Sequence, residues 1–295
     1  MRFGIAGNLR KEGVPSVFQA LVRRFEEEGV EFIVEQSLAE LVRQTTHRRI
    51  KGIKAVSEAK LPRSCEMIIS LGGDGTILRI ARMVAASGTP ILGINLGKLG
   101  FLAEVSVEDL DSCLTEILKG DYFVVERMML QGSTSRSARA YLALNDIVVD
   151  KYATSRVLDF QTFVDGEFLA TFTADGIILC TPTGSTAYAL ANGGPIVTPH
   201  NRSITISPIC PHSLTARAVI VPDDSLIRIK IPAVPHKVHL TADGQDELIL
   251  NPPVEISVKK APYTARLVKR RNTSYYDLLR KKLNWGRDIR IEGSH

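Results

Sequence analysis

Residues 71–81 read LGGDGTILRIA and crowd three glycines and one acid into four positions, Gly72, Gly73, Asp74 and Gly75. An apolar run (Met67, Ile68, Ile69) precedes them, and Ile77, Ile80, Ala81 and Val84 follow at helical spacing. The pattern predicts a strand, a glycine turn and a helix. Glycines at the end of a strand allow a bulky group, typically a phosphate, to approach the backbone. A carboxylate among them repels a phosphate unless it holds a neutralising metal or takes the proton of an attacking hydroxyl. Two familiar phosphate loops fit less well. GINLGKL, residues 93–99, is one residue short of the P-loop and carries Leu99 where a Ser or Thr should hold Mg²⁺. Read as a dinucleotide fingerprint from Gly73, the 72–75 stretch would need its third glycine at Leu78.

On either side of this turn, strand and helix alternate. RFGIA reads as a strand, PSVFQALVRRFEEEG as a helix entered at Pro15 and stopped at Gly29, VEFIVE as a strand and SLAELVRQ as a helix. Residues 45–62 are polar and give no clear reading. Strand 66–71, a helix to about Ala86, strand PILGIN and helix VEDLDSCLTEILKG complete a mostly parallel α/β arrangement. Near Asp121 the character changes, and from YFVVERMML to about Leu267 nearly everything reads as strand. FQTFVDGEFLATFT and VHLTADGQDELIL read as hairpins turning at Asp-Gly. The expected division is residues 1–121, a β-rich domain over 122–266, and a segment 267–295 carrying an amphipathic helix at 273–284. That helix must bury its apolar face, and the α/β part is the expected surface.

The chain has 295 residues, 44% of them apolar, and a net charge of +5, enough material for two cores. From Pro262 onward nine basic residues face three acids, so the charge is concentrated in the tail. No nucleic-acid motif accompanies it, and a solvated helix face accounts for it. No apolar run approaches the ~18 residues of a membrane span, and MRFGIAG is too short for a secretory signal. Cys65, Cys113, Cys180 and Cys210 are far apart and lie in or beside apolar segments, which predicts buried thiols in a reducing cytoplasm. The histidines form no metal pattern; His236 and His239 are expected on opposite faces of one strand. A Gly-x-Ser-x-Gly elbow is also missing from the sequence.

Three further stretches carry chemistry. LNDIVVD sets Asn145 and Asp146 side by side in a strand, so at most one faces a given pocket. TADGIILCTPTGSTAYALANGGP, residues 173–195, runs a strand into small hydroxyls and Tyr188, whose flat face suits a heterocycle. Capping also accounts for Thr183–Thr186. TADGQD places Asp243 in a hairpin turn, where by itself it carries as little functional weight as Asp165 in VDG.

The order GGDGT, Asn-acid, DG…TPTGSTAY…GGP and DGQ resembles the NAD kinase family from end to end, continuing through residues 206–222 and 278–286. GGDGT alone is shared with diacylglycerol-type lipid kinases and phosphofructokinases, whereas TPTGSTAY followed by DGQ is much more specific to NAD kinases. The resemblance implies an N-terminal α/β domain with a Rossmann-like parallel sheet, an all-β C-terminal domain of packed sheets, and a C-terminal helix returning to the first domain. It implies phosphoryl transfer from ATP, or from polyphosphate, to the 2′-hydroxyl of the adenosine ribose of NAD. A divalent metal, by default Mg²⁺, would accompany the donor, and the chain would form a cytoplasmic homodimer or homotetramer with neither nucleic acid nor membrane as partner. Carried over by position, Asp74 is the catalytic acid that engages the attacking hydroxyl. Gly72, Gly73 and Gly75 would line the phosphates, with Thr76 beside them in the nucleotide site, and Phe101 matches an aromatic near the nucleotide. Asn145 and Asp146 match the family's Asn-Glu pair at the adenosine, with Asp one methylene shorter than Glu. Asp175, Thr183, Thr186, Ala187 and Tyr188 would contact the rest of NAD, and Asp243 would reach it from a loop or from a neighbouring subunit. The competing readings are a lipid kinase, which needs an exposed apolar entry surface, and a non-catalytic dinucleotide sensor, which needs an output module.

Overall fold

The computed structural model describes residues 1–45, 53–271 and 274–285. Residues 46–52 of the unassigned polar stretch, the start of the expected final helix at 273, and Arg287 and Arg290 of the basic tail therefore lie outside the described residues. The chain divides into two compact units, Met1–Val125 together with the segment beginning at Arg266, and Glu126–Ala265.

The first unit runs β1 (Phe3–Gly7), α1 (Val14–Glu27), β2 (Phe32–Glu35), α2 (Gln36–Thr45), β3 (Ala55–Val56), β4 (Met67–Gly72), α3 (Asp74–Val84), β5 (Ile91–Asn95), β6 (Val105–Ser106) and α4 (Leu110–Leu118). Its sheet is parallel in the order β3-β2-β1-β4-β5. The strands are apolar along nearly their whole length because helices cover both faces. Phe18, Leu21 and Phe25 of α1 pack with Phe3, Ile5, Ile69 and Leu71 on one face, joined by Leu38 of α2 and Leu114 of α4. On the other face α3 lies against β4 and β5, close enough at Gly93 that a Cβ there would stand 2.4 Å from Ile77 Cδ1. Each fully buried Phe, Leu or Ile contributes roughly 1.5–3 kcal/mol, so this two-sided burial dominates the unit's stability. The chain proceeds outward from β1 through β2 and β3, then returns to the other side of β1 with β4. The carboxyl ends of β1 and β4 thus form the sheet's topological switch point, where open α/β sheets bind ligands.

The second unit contains β7 (Phe123–Thr134) from Glu126 onward, then β8 (Ser137–Ala143), β9 (Asp146–Lys151), β10 (Leu158–Val164), β11 (Glu167–Ala174), β12 (Gly176–Cys180), α5 (Tyr188–Ala191), β13 (Ser203–Ile209), β14 (Val219–Pro222), β15 (Ile227–Ile231), β16 (Val238–Ala242), β17 (Asp246–Leu250) and most of β18 (Val254–Lys269). Six strands form one antiparallel sheet, β14-β13-β12-β9-β16-β17. The other follows β11-β10-β15-β18, with β7 beside β18 and β8 beside β7. Alternation decides the packing: Ile147, Val149, Ile177, Leu179 and Leu240 point into a shared core with Phe160, Ile229 and Ile256. Val148, Ile178 and Cys180 point to the opposite face, where Ala189 of α5 covers them. Both Asp-Gly hairpins form, with Asp165 and Asp243 at positive φ of 51° and 54°.

The tail contributes α6 (Tyr275–Leu283) to the first unit, with Leu278 and Leu279 buried. His236 lies ahead of β16, so it does not share a strand with His239 as expected, and the expectation of four buried thiols fails. Cys113 and Cys180 are buried and Cys65 is half-buried, but Cys210 is exposed, because it turns out of the end of β13 at a positive φ of 44°. The apolar residues around it in sequence belong to the strand, not to the turn.

Candidate functional site

In the first unit the glycine turn closes β4 and opens α3. Gly73 is extended and caps the helix, its carbonyl accepting the Thr76 and Ile77 N–H groups. Asp74 begins the helix, and its carboxylate turns toward the loop that follows β5. Oδ2 accepts the Phe101 N–H at 2.8 Å, and Oδ1 accepts those of Leu102 and Ala103, each at 3.0 Å. Gly100 makes this approach possible, since a Cβ there would stand 1.9 Å from Oδ1. The three amides occupy three of the roughly four acceptor positions of a carboxylate, leaving one on Oδ2 for a hydroxyl. Gly72 meets an internal need, because a Cβ there would stand 2.1 Å from Thr76 Oγ1. Gly73 has open space, with Lys11 Nζ 3.7 Å away as the nearest atom to a Cβ. Gly75 is exposed and Thr76 buried.

Phe101 is half-buried, and Lys282 of α6 lies over its ring at 5.3 Å. The same ammonium donates to the Leu99 carbonyl at 2.5 Å. Lys269, at the end of β18, pairs with Glu104 at the end of the same loop. The loop at 99–104 is thus held from one side by Asp74 and from the other by two lysines of the C-terminal segment.

In the second unit the alternation that buries Ile147 and Val149 sends Asp146 and Asp150 to the α5 face. Tyr188 opens α5 and is 46% exposed. Burial first, then the charges of Asp150, Cys210, Asp146 and Asp175, push its hydroxyl up, so acidic groups surround this ring. Asp175 pairs with Lys151 at 2.5 Å. Asp150 lies 3.3 Å from His239 Nδ1, and Nε2 of the same ring lies 3.0 Å from Glu247. Burial raises the Asp150 carboxyl, and His239 opposes the shift.

Asp243 sits in the hairpin turn, but its side chain does more than a turn requires. Oδ2 accepts the Leu144 N–H at 3.0 Å, and Oδ1 accepts those of Asn145 at 2.7 Å and Asp146 at 3.2 Å. Burial and the Asp243 charge together push the Asp146 carboxyl up to about 7. The Asn145 carbonyl accepts the Thr181 N–H and lies so close to Gly184 that a Cβ there would stand 2.1 Å from it.

The hydroxyls of TPTGST do not cap α5. Thr181 donates to the Leu144 carbonyl and accepts the Gly184 N–H, while Ser185 donates to Val197 and accepts its N–H. Thr186 donates back to Thr183, and Ala187 links the short 3₁₀ turn to α5. Capping, the simple reading of this stretch, gives way to stitching, because the hydroxyls of Thr181, Ser185 and Thr186 each donate to a carbonyl instead.

The structure therefore gathers Asp74, the glycines, Thr76 and Phe101 in one unit. It gathers Asn145, Asp146, Asp175, Thr183, Thr186, Ala187, Tyr188 and Asp243 in the other. The sequence reading missed Lys11, Gly100, Lys282, Thr181 and Ser185, and of these only TPTGS carried a visible pattern. Among the described residues, no group of three or more His, Cys, Asp or Glu side chains could hold a metal ion, and no helix is long and apolar enough to cross a membrane.

An α/β unit with a glycine-acid turn, joined to an antiparallel β unit, is the architecture of the dinucleotide kinases. Yeast NADH kinase, solved with NADH, superposes with a TM-score of 0.91 at 27% identity, covering 99% of this chain and 89% of that one. An NAD kinase of Archaeoglobus fulgidus, solved with ATP, gives 0.75 at 26% identity, covering 96% and 99%. An NAD kinase of Geotalea daltonii is 41% identical over 88% of this chain and 93% of its own length, and one of Moorella thermoacetica is 41% identical over 97% and 90%. Residues 3–122 match the ATP-NAD kinase N-terminal domain and residues 144–270 the C-terminal domain. The chain belongs to the ATP-NAD kinase family, and its activity is that family's, the phosphorylation of NAD.

Proposed function

We propose that the chain transfers the terminal phosphoryl group of ATP to the 2′-hydroxyl of the adenosine ribose of NAD, giving NADP and ADP. The observation that carries this reading is the Asp74 carboxylate, fixed at the head of the glycine turn with one acceptor position left. The ribose oxygen bonds to the γ-phosphorus as the bond to the β,γ-bridging oxygen breaks, and the hydroxyl proton passes to Asp74. Phosphoryl transfer asks mainly for positioning and charge neutralisation, so a carboxylate held in place suits it better than a strong base held loosely.

The acidic face around Tyr188 supports NAD binding in the second unit. The exposed ring offers stacking to a base, Asp146 on the α5 face offers the adenosine end an acceptor, and Asn145 is assigned there on the family pattern alone. Asp175, Thr183, Thr186 and Ala187 flank the same stretch. The divalent cation, by default Mg²⁺, would accompany the triphosphate as its counter-ion and thus as part of the donor substrate. Free thiols throughout fit a cytoplasmic protein. The exposed Phe168, Leu169 and Ile249 of the β unit fit a homodimer or homotetramer, which light scattering on the purified protein would resolve.

A coupled assay with an NADP-specific dehydrogenase tests the reaction. NADP should form only when protein, NAD, ATP and Mg²⁺ are all present. Tight NAD binding without NADP formation would make the chain a sensor instead.

A further inference from the structure

Three loops leave the carboxyl ends of adjacent parallel strands in the first unit, residues 8–13 after β1, 73 after β4 and 96–100 after β5. Backbone bonds lock them together: Asn8 N–H donates to the Leu71 carbonyl at 2.9 Å, and Leu96 N–H donates to that of Gly72 at 3.1 Å. The loop after β1 is itself a tight turn, with the Arg10 N–H on Asn8 Oδ1 and the Lys11 N–H on the Asn8 carbonyl. This turn aims the Lys11 side chain across the switch point. Its ammonium stands 3.7 Å from a Cβ built on Gly73 and 3.3 Å from one built on Gly97.

Of the other cations of this region, Arg10 and Lys98 are exposed on their loops, and the rest are committed. Arg79 is held by Glu35 and Glu58, Lys269 by Glu104, and Lys282 by the Leu99 carbonyl. The Asp74 carboxylate is engaged by the 101–103 amides and forms no salt bridge with Lys11. Lys11 makes neither a salt bridge nor a side-chain hydrogen bond with any described residue. A half-buried ammonium aimed over the two glycines of a phosphate-type turn, with no protein anion to meet it, is placed for a substrate anion.

We infer that Lys11 is a catalytic residue of the phosphoryl transfer, contacting the terminal phosphates of the donor and offsetting the charge that the transfer concentrates there. The inference rests on the kinase reading above and names the cation which that reading leaves unassigned. Lys11 is a point charge on a flexible stem, so it can follow the γ-phosphate from donor to acceptor, whereas a rigid fork would be tied to one geometry.

The test uses the full chain and two variants, Lys11→Met, which keeps the stem, and Lys11→Arg, which keeps the charge. Lys11→Met should lower kcat/KM for ATP about 10²-fold, the usual scale for losing one electrostatic contact to a reacting group. The KM for NAD should stay within about twofold, and Lys11→Arg should recover part of the loss. Calorimetry with inorganic tripolyphosphate supplies a readout independent of turnover. The wild type should bind it in a salt-sensitive manner, and Lys11→Met should bind it at least about tenfold more weakly. A folded Lys11→Met variant with wild-type kcat/KM for ATP and wild-type tripolyphosphate affinity would overturn the role of Lys11 and leave the kinase reading intact. A wild-type protein that makes no NADP would instead overturn the kinase reading.

Discussion

Asp243 accepts the backbone N–H of Asp146 at 3.2 Å with the same carboxylate whose charge helps push the Asp146 carboxyl up to about 7. One acid thus places its neighbour and makes that neighbour reluctant to ionise. The first unit repeats the placing half of this device, with Asp74 holding three successive amides of the loop that carries Phe101. In both cases a carboxylate at a turn fixes the backbone of a distant segment expected at the site.

Asp146 makes stability depend on pH. An unfolded Asp titrates near ~3.9, so between about pH 4 and 7 the folded chain keeps a proton that the unfolded chain has lost, and stability falls as the pH rises. Asp146→Asn removes this penalty. Its stability relative to wild type should improve between pH 5 and pH 8 by on the order of 2 kcal/mol. Thermal or urea unfolding at the two pH values checks it, and a difference independent of pH would mean that Asp146 is not the buried acid described.

The same group should tune substrate affinity. If ionised Asp146 accepts a hydrogen bond from the adenosine part of NAD, the KM for NAD should fall as the pH rises through 7. Asp146→Ala should raise that KM by roughly 10- to 100-fold, the equivalent of about 1.5–3 kcal/mol, with kcat far less affected. An unchanged KM in the folded variant would remove Asp146 from the NAD site.

Asp243 and Asp165 share a sequence context and differ in consequence. Asp165 accepts one exposed amide, that of Leu226, while Asp243 accepts three from the 144–146 segment. Asp243→Ala leaves buried donors unpaired at about 1–3 kcal/mol each, whereas Asp165→Ala should cost about 1 kcal/mol or less. Melting temperatures of the two variants, with their KM values for NAD, separate the cases. Equal effects would mean that the turn alone matters.

Asp74→Asn changes both chemistry and loop. Asparagine keeps one acceptor oxygen for Leu102 and Ala103 but turns an NH₂ toward the Phe101 N–H. Turnover should fall by roughly 10²–10⁴-fold, the range for a positioned general base. Hydrogen exchange at residues 101–103 should accelerate, while calorimetric NAD binding should stay near wild type. Fast exchange with full turnover would leave Asp74 as a loop anchor alone. Lys282→Met tests the other side of the loop, and losing its contacts with Phe101 and Leu99 should cost about 1 kcal/mol, or roughly fivefold in kcat/KM for ATP.

Local rules made the scaffold legible. The strand–glycine–helix run at 67–84 declared itself because apolar periodicity switches from strand to helix across Gly72–Gly75, and Pro15 and Gly29 bracketed α1 correctly. Both Asp-Gly hairpins were readable from their turn chemistry. What stayed hidden depends on distant register. Nothing near residue 11 shows that β1 pairs with β4 and swings a lysine over Gly73. Asp243 looks like Asp165 until β16 is seen beside β9, bringing its carboxylate to the Asn145 amide. Gly72 looked like a phosphate glycine, yet the residue that forbids a side chain there is Thr76. Cys210 sat among strand residues in sequence but lies at the strand's turning end.

The proposed reaction places the new phosphate on the 2′-oxygen of the adenosine ribose of NAD. Phosphorus NMR of the purified product, with proton coupling used to assign the esterified carbon, tests it most directly. A single phosphomonoester coupled to the 2′-proton is expected, with full acceptance of the product by a strictly NADP-dependent dehydrogenase. A 3′-phosphate, or phosphorylation of diacylglycerol in preference to NAD, would contradict it.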